Sequence, residues 1–465
     1  MSGDSEPPQR NPDDCAPLTI SLPSAAMTLR FIHAGDVHLD SPLRGLRAYP
    51  EAPQDRLRAA PRRALRRLVD TAIETEVPLL LLAGDIFDGT WPDMGTGLFF
   101  NKEMARLKHA GIRVVAIRGN HDAESRVAQS LTPPDNVTIL DSRAPQTLPL
   151  DDLGAAVHGQ SFARPDVRDN LALGYPAPLP GRINLGLLHT ALEGDAAHAS
   201  YAPCRLIELT DKGYDYWALG HVHEGRVLAD GTAPGGAVAY SGVLQGRHIR
   251  EPGPKGAWLV EIAAPGAAPA MTPLILDSVR WHPAAVDLGG VTAWADLENA
   301  LAATLQAARD AAPPDADGLT AVRLHLHGAT ALHGELSLYP EEARAAALNL
   351  AQQIAPDGLF IEKVVVATAP PSKGADAHQG ETAALGAGAL ADLDAELARA
   401  PGDATFAKEL LADLTRCLRS LDSETLKALN DEAPETVAAI EKGNAETLLA
   451  PARQDLMAYL QGREG

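Results

Sequence analysis

Between Leu29 and about Glu261 the chain alternates short β-branched or leucine-rich runs with helical stretches and turns rich in Gly, Asp and His. That is the pattern of a layered α/β domain. The runs Leu29–His33, Leu79–Ala83, Arg113–Ile117, Ala155–His158, Ile183–Leu188, Tyr216–Leu219, Val238–Tyr240 and Ala257–Glu261 read as strands. Between the first two, Leu57, Leu65, Leu68, Val69 and Ile73 recur at spacings of three and four over Asp55–Thr75, which predicts an amphipathic helix. The longest apolar run, Pro78 to Ala83, is far short of the roughly 20 residues a membrane-spanning helix needs. It reads as a buried strand, and no membrane partner is expected.

The pattern changes near residue 281. A helix over Trp294–Arg309, an alternating strand over Thr320–His327, a helix over Pro340–Ile354 and a strand over Leu359–Thr368 predict a small α+β cap. A Pro, Gly and Ala stretch from Pro370 to Gly388 reads as a flexible linker. From Leu390 helical periodicity resumes, broken at Pro401-Gly402, Pro434 and Gly443, with an apolar stripe of Leu410, Leu411, Leu414 and Leu418. The expected organisation is a tail over 1–26, an α/β domain over 27–280, a cap over 281–370, a linker over 371–388 and a helical segment over 389–465.

Composition changes this picture little. With 45% hydrophobic residues, 465 residues can build packed cores. The first 26 are polar and proline-rich without an export signal, so they are expected to be disordered, and Met27 is a candidate start. Cys15, Cys204 and Cys417 are odd in number and far apart, which offers neither a disulfide framework nor a structural zinc site and fits a reducing cytoplasm. The formal net charge of −21 argues against a nucleic-acid partner, since such binding draws on clustered Lys and Arg. Residues 371–465 hold 9 basic and 17 acidic side chains and residues 1–26 hold 1 and 4, so residues 27–370 carry −10. Bound divalent cations would offset part of that.

Chemistry concentrates at the strand ends, where α/β sheets place their site residues. Five polar clusters each follow or end a predicted strand: Gly35-Asp36-Val37-His38, Gly84-Asp85-Ile86-Phe87-Asp88, Gly119-Asn120-His121-Asp122, Leu188-His189-Thr190 and Gly220-His221-Val222-His223. Carboxylate, amide and imidazole without thiolate suit manganese, iron or zinc better than calcium. The Asp-x-His and His-x-His spacings put alternate side chains on one side of an extended segment, so both members can reach one ion. Each cluster alone is ordinary turn or strand-cap chemistry. Five in succession make coincidence a poor account.

The series resembles the calcineurin-like metallophosphoesterase superfamily, with motif order D-x-H, G-D, G-N-H-[D/E], H, G-H-x-H, over residues 29 to about 262. The opening Phe31-Ile32-His33-Ala34-Gly35-Asp36-Val37-His38-Leu39-Asp40-Ser41-Pro42-Leu43 is similar to that of SbcD-like and YhaO-like DNA repair exonuclease subunits. So are His198-Ala199-Ser200-Tyr201-Ala202-Pro203-Cys204, Tyr240-Ser241-Gly242, Gln245-Gly246-Arg247-His248, Pro254-Lys255-Gly256 and Thr330-Ala331-Leu332-His333. The resemblance implies a four-layer sandwich, two mixed β-sheets flanked by helices. It also implies two divalent ions, with manganese expected: Asp36, His38 and His223 would bind one, Asn120, His189 and His221 the other, and Asp85 would bridge. Such a pair, about 4 Å apart, generates a bridging hydroxide for in-line attack on phosphorus. His121 would then assist the leaving group, oriented by Asp122.

His33, His158, His248 and His333 read as structural histidines, with Arg247 and His248 as candidates for phosphate contact. Arg56, Arg58, Arg62, Arg63, Arg66 and Arg67 read as a solvated helix face. Asp88 is a candidate to support the site from behind, and Cys204 reads as packed. The resemblance implies a DNA exonuclease or endonuclease subunit in DNA repair, gripping an SMC-like or AAA-type ATPase through its C-terminal helices. A homodimer is a further candidate assembly. Two alternatives stand beside it: a small-molecule phosphodiesterase or phosphatase with the same metal centre, and a largely structural subunit of an ATPase complex. Gly89-Thr90 after Asp88 departs from the Gly-Asp-x-x-Asp-Arg-Gly form of protein Ser/Thr phosphatases.

Overall fold

The computed structural model describes residues 28–41, 53–88, 94–125, 131–192, 201–315, 317–371, 386–421, 426, 429–430 and 433–462. The tail expected over 1–26, residues 372–385 of the expected linker, Pro42-Leu43 of the opening motif and His198-Ala199-Ser200 lie outside them. The chain divides into two compact units. The first takes in Met1–Asp36, Val69–Gly242 and Ala257–Leu274, the second Val37–Leu68, Val243–Gly256 and Ile275–Gly465.

The first unit holds two six-stranded mixed sheets. Strands β1 (Leu29–Ala34), β2 (Leu79–Ala83), β3 (Arg113–Ile117), β4 (Val137–Ile139), β11 (Gly256–Ile262) and β12 (Ala270–Ile275) form one, in the order β12-β11-β1-β2-β3-β4. Strands β5 (Gln146–Leu150), β6 (Ala155–Gly159), β7 (Ile183–His189), β8 (Tyr216–Gly220), β9 (Arg226–Asp230) and β10 (Ala237–Tyr240) form the other, in the order β5-β6-β7-β8-β10-β9.

Side chains alternate across a strand with period two, so alternate positions of each sheet meet in one core. Phe31, Leu79, Leu81, Val115 and Ile117 from the first sheet face Val157, Leu185, Leu187, Tyr216 and Ala218 from the second. All are buried, each worth about 1.5–3 kcal/mol for the larger aliphatic and phenyl side chains. The intervening residues of β2, Leu80 and Leu82, are buried too, as expected of a parallel strand covered on both faces. Helix α2 (Met94–His109) packs on β3, and the short helix α4 (Leu206–Thr210) on β10. This is the helix-flanked sandwich of two mixed sheets that the resemblance implied.

Strands β1, β2 and β3 are parallel, as are β7 and β8, so their C-terminal ends line up within each sheet. His189 is the last residue of β7, and the turns leaving the other ends carry Asp36, Asp85, Asn120 and His221, with Asn120 opening helix α3 (Asn120–Glu124).

The second unit contains a three-stranded parallel sheet, β13 (Val279–Asp287), β14 (Leu319–Ala329) and β15 (Leu359–Ala369). Helices α5 (Trp294–Asp310) and α7 (Pro340–Ile354) cover one face: Leu297, Leu301, Leu305, Ala343 and Ala347 pack on Val322, Leu324, Leu326 and Ile361. Leu57 and Ala60 of helix α1 (Gln54–Glu74) pack with Trp281, Ala321 and Phe360. Further helices follow, among them α8 (Gly386–Arg399), α9 (Ala404–Ser420), α10 (Pro434–Lys442) and α11 (Ala445–Gly462). Asp403 caps α9 by accepting from the Thr405 and Phe406 amides. Arg453 of α11 grips Asp394 of α8 through two bonds of 2.6 and 2.8 Å, and α11 packs on α6 (His333–Leu338).

Among the described residues no helix is long and apolar enough to cross a membrane.

Candidate metal centre

Three buried groups from three strand ends of the first unit converge. Ligand atoms of Asp36, Asp85 and His189 all lie within 4.8 Å of one another. Asp36 and His189 are fully buried and Asp85 nearly so. A buried carboxylate is strongly disfavoured unless a cation or several hydrogen bonds stabilise it. Burial pushes the Asp36 carboxyl up from its ordinary range, and Asp85 adds to that, while His189, His223 and the His221 amide act against it.

His189 shows what the pocket asks for. Its Nδ1 lies 2.9 Å from the Ala83 carbonyl, which can only accept, so Nδ1 carries the hydrogen. In a neutral ring Nε2 then presents a lone pair, yet it points at Asn120 Oδ1 (3.1 Å) and Asp85 Oδ2 (3.4 Å). Three acceptor atoms aimed at one another need a positive charge among them, and a proton or a metal ion can supply it. Burial alone would lower the His189 pKa, but Asp85 and Asp36 outweigh it and hold the ring up at about 9. The donor set thus fits a divalent cation, which the carboxylates and imidazoles would hold in place of that proton.

Backbone hydrogen bonds fix the rest. Both Asp36 carboxylate oxygens accept from the His221 amide (3.1 and 2.9 Å), and the Asp36 amide donates to the Gly84 carbonyl (3.0 Å). Asp85 Oδ1 accepts from the His121 amide at 2.9 Å. The His189 and His221 rings stand edge to face, 5.3 Å apart. His223 is half-buried and acts electrostatically on Asp36. His38 is buried and follows Asp36 by two residues, in the segment that opens the second unit.

The backbone is strained where the ligands were expected. Asp36 (φ 47°), His38 (φ 42°), Asp85 (φ 49°) and His221 (φ 100°) all lie at positive φ, a region that side-chain-bearing residues seldom adopt. Each such residue costs on the order of 1–3 kcal/mol, and clusters of them mark functional sites. Two glycines make room: a Cβ at Gly220 would collide with the Ala83 carbonyl oxygen, and one at Gly119 with Asp85 Oδ1.

Asp122 accepts three backbone amides, Ile86 (3.1 Å), Phe87 (2.9 Å) and Gly119 (3.1 Å), so it ties the Asp85 turn to the Asn120 turn. Burial, followed by the neighbouring Asp85, raises its carboxyl to about 6 against the pull of those amides. The half-exposed His121 ring has Asp88 as its carboxylate partner, Nδ1 to Oδ1 3.1 Å.

The bystanders have identifiable partners. His158 bonds Thr147 (2.9 Å) and Asn184 (3.0 Å), and His333 bonds Thr368 (3.0 Å). In the second unit Glu251 accepts from the Arg247 amide (2.6 Å) and lies 3.5 Å from His248, a loop gathered on itself. The arginine run of α1 is more than a solvated face. Arg56 holds the carbonyls of Asp317, Gly318 and Asp357, Arg62 donates two hydrogen bonds to Asp40, and Arg63 pairs with Asp315. Cys204 is buried with Sγ 3.4 Å from the Thr190 hydroxyl, while Cys417 is an exposed free thiol.

Pattern reading missed two aromatic rings. Phe162 stands edge-on to His189 and Tyr201 edge-on to His221, each 5.4 Å away. Phe162 follows β6, whose end carries none of the five polar clusters, so nothing in the local sequence flagged it.

Residues 29–225 match the family model for calcineurin-like phosphoesterase, and residues 281–369 match that for the metallophosphoesterase YhaO middle domain. The chain is similar to the uncharacterized metallophosphoesterase YhaO of Bacillus subtilis, 37% identical over 237 residues, 50% of this chain and 57% of that protein. It is 26% identical to the DNA double-strand break repair protein Mre11 of Methanopyrus kandleri over 42% of this chain and 44% of that one. It is 31% identical to a subunit of the nuclease SbcCD of Escherichia coli over 30% and 34%. These matches span about half the length of the relatives or less.

Proposed function

The chain carries a calcineurin-like phosphoesterase domain joined to a YhaO middle domain, and from that premise we propose that it is a metal-dependent phosphodiesterase that cuts DNA beside an SMC-like or AAA-type ATPase. The carrying observation is the convergence of buried Asp36, Asp85 and His189, whose opposed acceptor atoms call for a cation. Asn120, His221, His223 and His38 complete the proposed ligand set, for two ions with manganese first and iron or zinc as the alternatives. When bound, two such ions activate water and stabilise charge on the phosphoryl group.

The chain's own groups do the rest. Asp88 Oδ1 lies 3.1 Å from His121 Nδ1, which leaves Nε2 as the nitrogen from which a protonated ring would donate to the leaving oxygen. Asp122 holds the Asp85 and Asn120 turns in register through three amides, and the His221 amide orients the Asp36 carboxylate.

DNA as substrate is supported by the names of two relatives, a DNA double-strand break repair protein and a nuclease subunit. An ATPase partner is supported by α9, a strongly amphipathic helix with none of its residues fully buried. A groove of about 610 Å³ runs beside it, lined by Leu411, Thr415, Arg416, Arg419, Ile440 and Lys442. A small phosphodiester as substrate is favoured by one observation, that several arginines of α1 already hold protein partners.

Manganese-dependent cleavage of linear duplex DNA, hairpin DNA and bis-p-nitrophenyl phosphate by wild type and His121→Asn separates the readings. DNA cleavage that His121→Asn abolishes supports the nuclease. Turnover of the small ester alone supports the second reading, and no turnover at all leaves a structural subunit.

A further inference from the structure

His33 is fully buried in the sandwich, takes no part in the proposed chemistry, and makes two hydrogen bonds across it. Its Nε2 lies 3.2 Å from the Leu219 carbonyl and its Nδ1 2.9 Å from the Tyr216 hydroxyl. A carbonyl only accepts, so Nε2 carries the hydrogen. In the neutral ring Nδ1 is then the acceptor, and the Tyr216 hydroxyl must donate to it. Both polar groups of this imidazole are used, and its tautomer is fixed. Phe31, on the same side of β1, stands edge-on to the Tyr216 ring at 5.4 Å and holds it in place.

The two partners of His33 belong to the opposite sheet. β1 lies in the first sheet and β8 in the second, so no ladder of backbone hydrogen bonds joins them. Three residues beyond His33 the chain reaches Asp36, and two beyond Leu219 it reaches His221. There the two strands meet again, through the Asp36 carboxylate and the His221 amide. Apolar packing between sheets is non-directional and tolerates sliding. A hydrogen-bonded imidazole does not, because leaving the buried Leu219 carbonyl unpaired is costly.

We infer that His33 is a positioning residue: with Tyr216 it bolts β1 to β8 in the core and so sets the spacing between the turns that carry Asp36 and His221. This rests on the reading of Asp36 and His221 as metal ligands. It distinguishes His33 from His158, which bonds only within the second sheet.

The test follows manganese, not turnover. Full-length protein stripped by chelation is titrated with Mn(II) by calorimetry. Stoichiometry is read by elemental analysis, and electron paramagnetic resonance separates a spin-coupled pair from an isolated ion. Wild type is expected to take up two coupled ions. His33→Phe keeps the ring shape but loses both hydrogen bonds, and is expected to bind roughly tenfold or more weakly and to lose the coupled signal. His33→Gln retains a donor and an acceptor and is expected to recover most of both readouts. Tyr216→Phe is expected to fall between, and His33→Phe should add less on that background than on wild type. Should His33→Phe fail to fold by circular dichroism, Tyr216→Phe and His33→Gln carry the comparison. Unchanged affinity and an intact coupled signal in folded His33→Phe, or in Tyr216→Phe where His33→Phe is unfolded, would overturn the proposal. Failure of wild type to bind manganese would instead remove the metal centre itself, and with it any role in positioning it.

Discussion

In the first unit Asp36, Asp85 and His189 are shut inside the protein with their acceptor atoms turned on one another. In the second, α9 keeps its charged face in water and leaves Leu410, Leu411, Leu414 and Leu418 only half-covered. Each arrangement departs from what folding alone favours, and in opposite directions. Buried charge destabilises a core unless a counter-charge arrives, and an apolar stripe left half-open gains if another surface covers it. On the proposed function an ion would complete the first region and a partner's apolar surface the second, so the two should fail under different experiments.

The largest effect is expected at Asp85, whose two oxygens face the His121 amide and His189. Asp85→Asn should lower manganese-dependent turnover of bis-p-nitrophenyl phosphate by on the order of a thousandfold. Steady-state kinetics would check it, and a loss of under tenfold would dissolve the contrast between the two regions. Next comes metal linkage. Raising free Mn(II) to about 100 times its dissociation constant should stabilise the folded chain by about 2.7 kcal/mol. Denaturant titrations with and without metal read this directly, and the gain should vanish in Asp85→Asn.

A smaller effect concerns acid. Burial holds the His33 pKa down at about 3, against 6.5 for a free histidine, with the Leu219 carbonyl pulling weakly the other way. Between those values the unfolded chain binds a proton that the folded chain does not, so this residue makes stability rise with pH from about 3 to 6.5 and contributes no slope above. His33→Gln should flatten that slope by up to about one proton per molecule, measured as the difference between wild-type and variant stability across that range. The smallest effect on chemistry is expected in α9. Leu411→Asp should leave small-ester turnover unchanged within about twofold yet weaken capture of the proposed ATPase partner tenfold or more, read by kinetics and by co-purification from a co-expressing strain.

The sandwich was legible because its central strands announce themselves. Leu79–Ala83 and Arg113–Ile117 are apolar at nearly every position, as strands covered on both faces must be. The strands that pattern reading passed over, β4, β5, β9, β12 and β13, all lie at the margin of a sheet. Marginal strands have weak alternation, and β5, β12 and β13 carry Pro149, Pro273 and Pro283, which argue against a strand everywhere except at an edge. The polar clusters of the candidate site were visible because each sits in one short segment. The contacts of Phe162 with His189 and of Tyr201 with His221 were not, because each joins different segments that only the folded chain brings together, and Asp88, already a candidate support, gained its particular partner His121 in the same way.

Those marginal prolines have a consequence beyond the fold. An exposed strand edge is a template on which further chains can add, the first step of uncontrolled aggregation. Proline cannot donate a backbone hydrogen bond, so at Pro149, Pro273 and Pro283 the growing ladder would lack a rung. Among the described residues, three of the six sheet edges thereby resist the addition of a further strand.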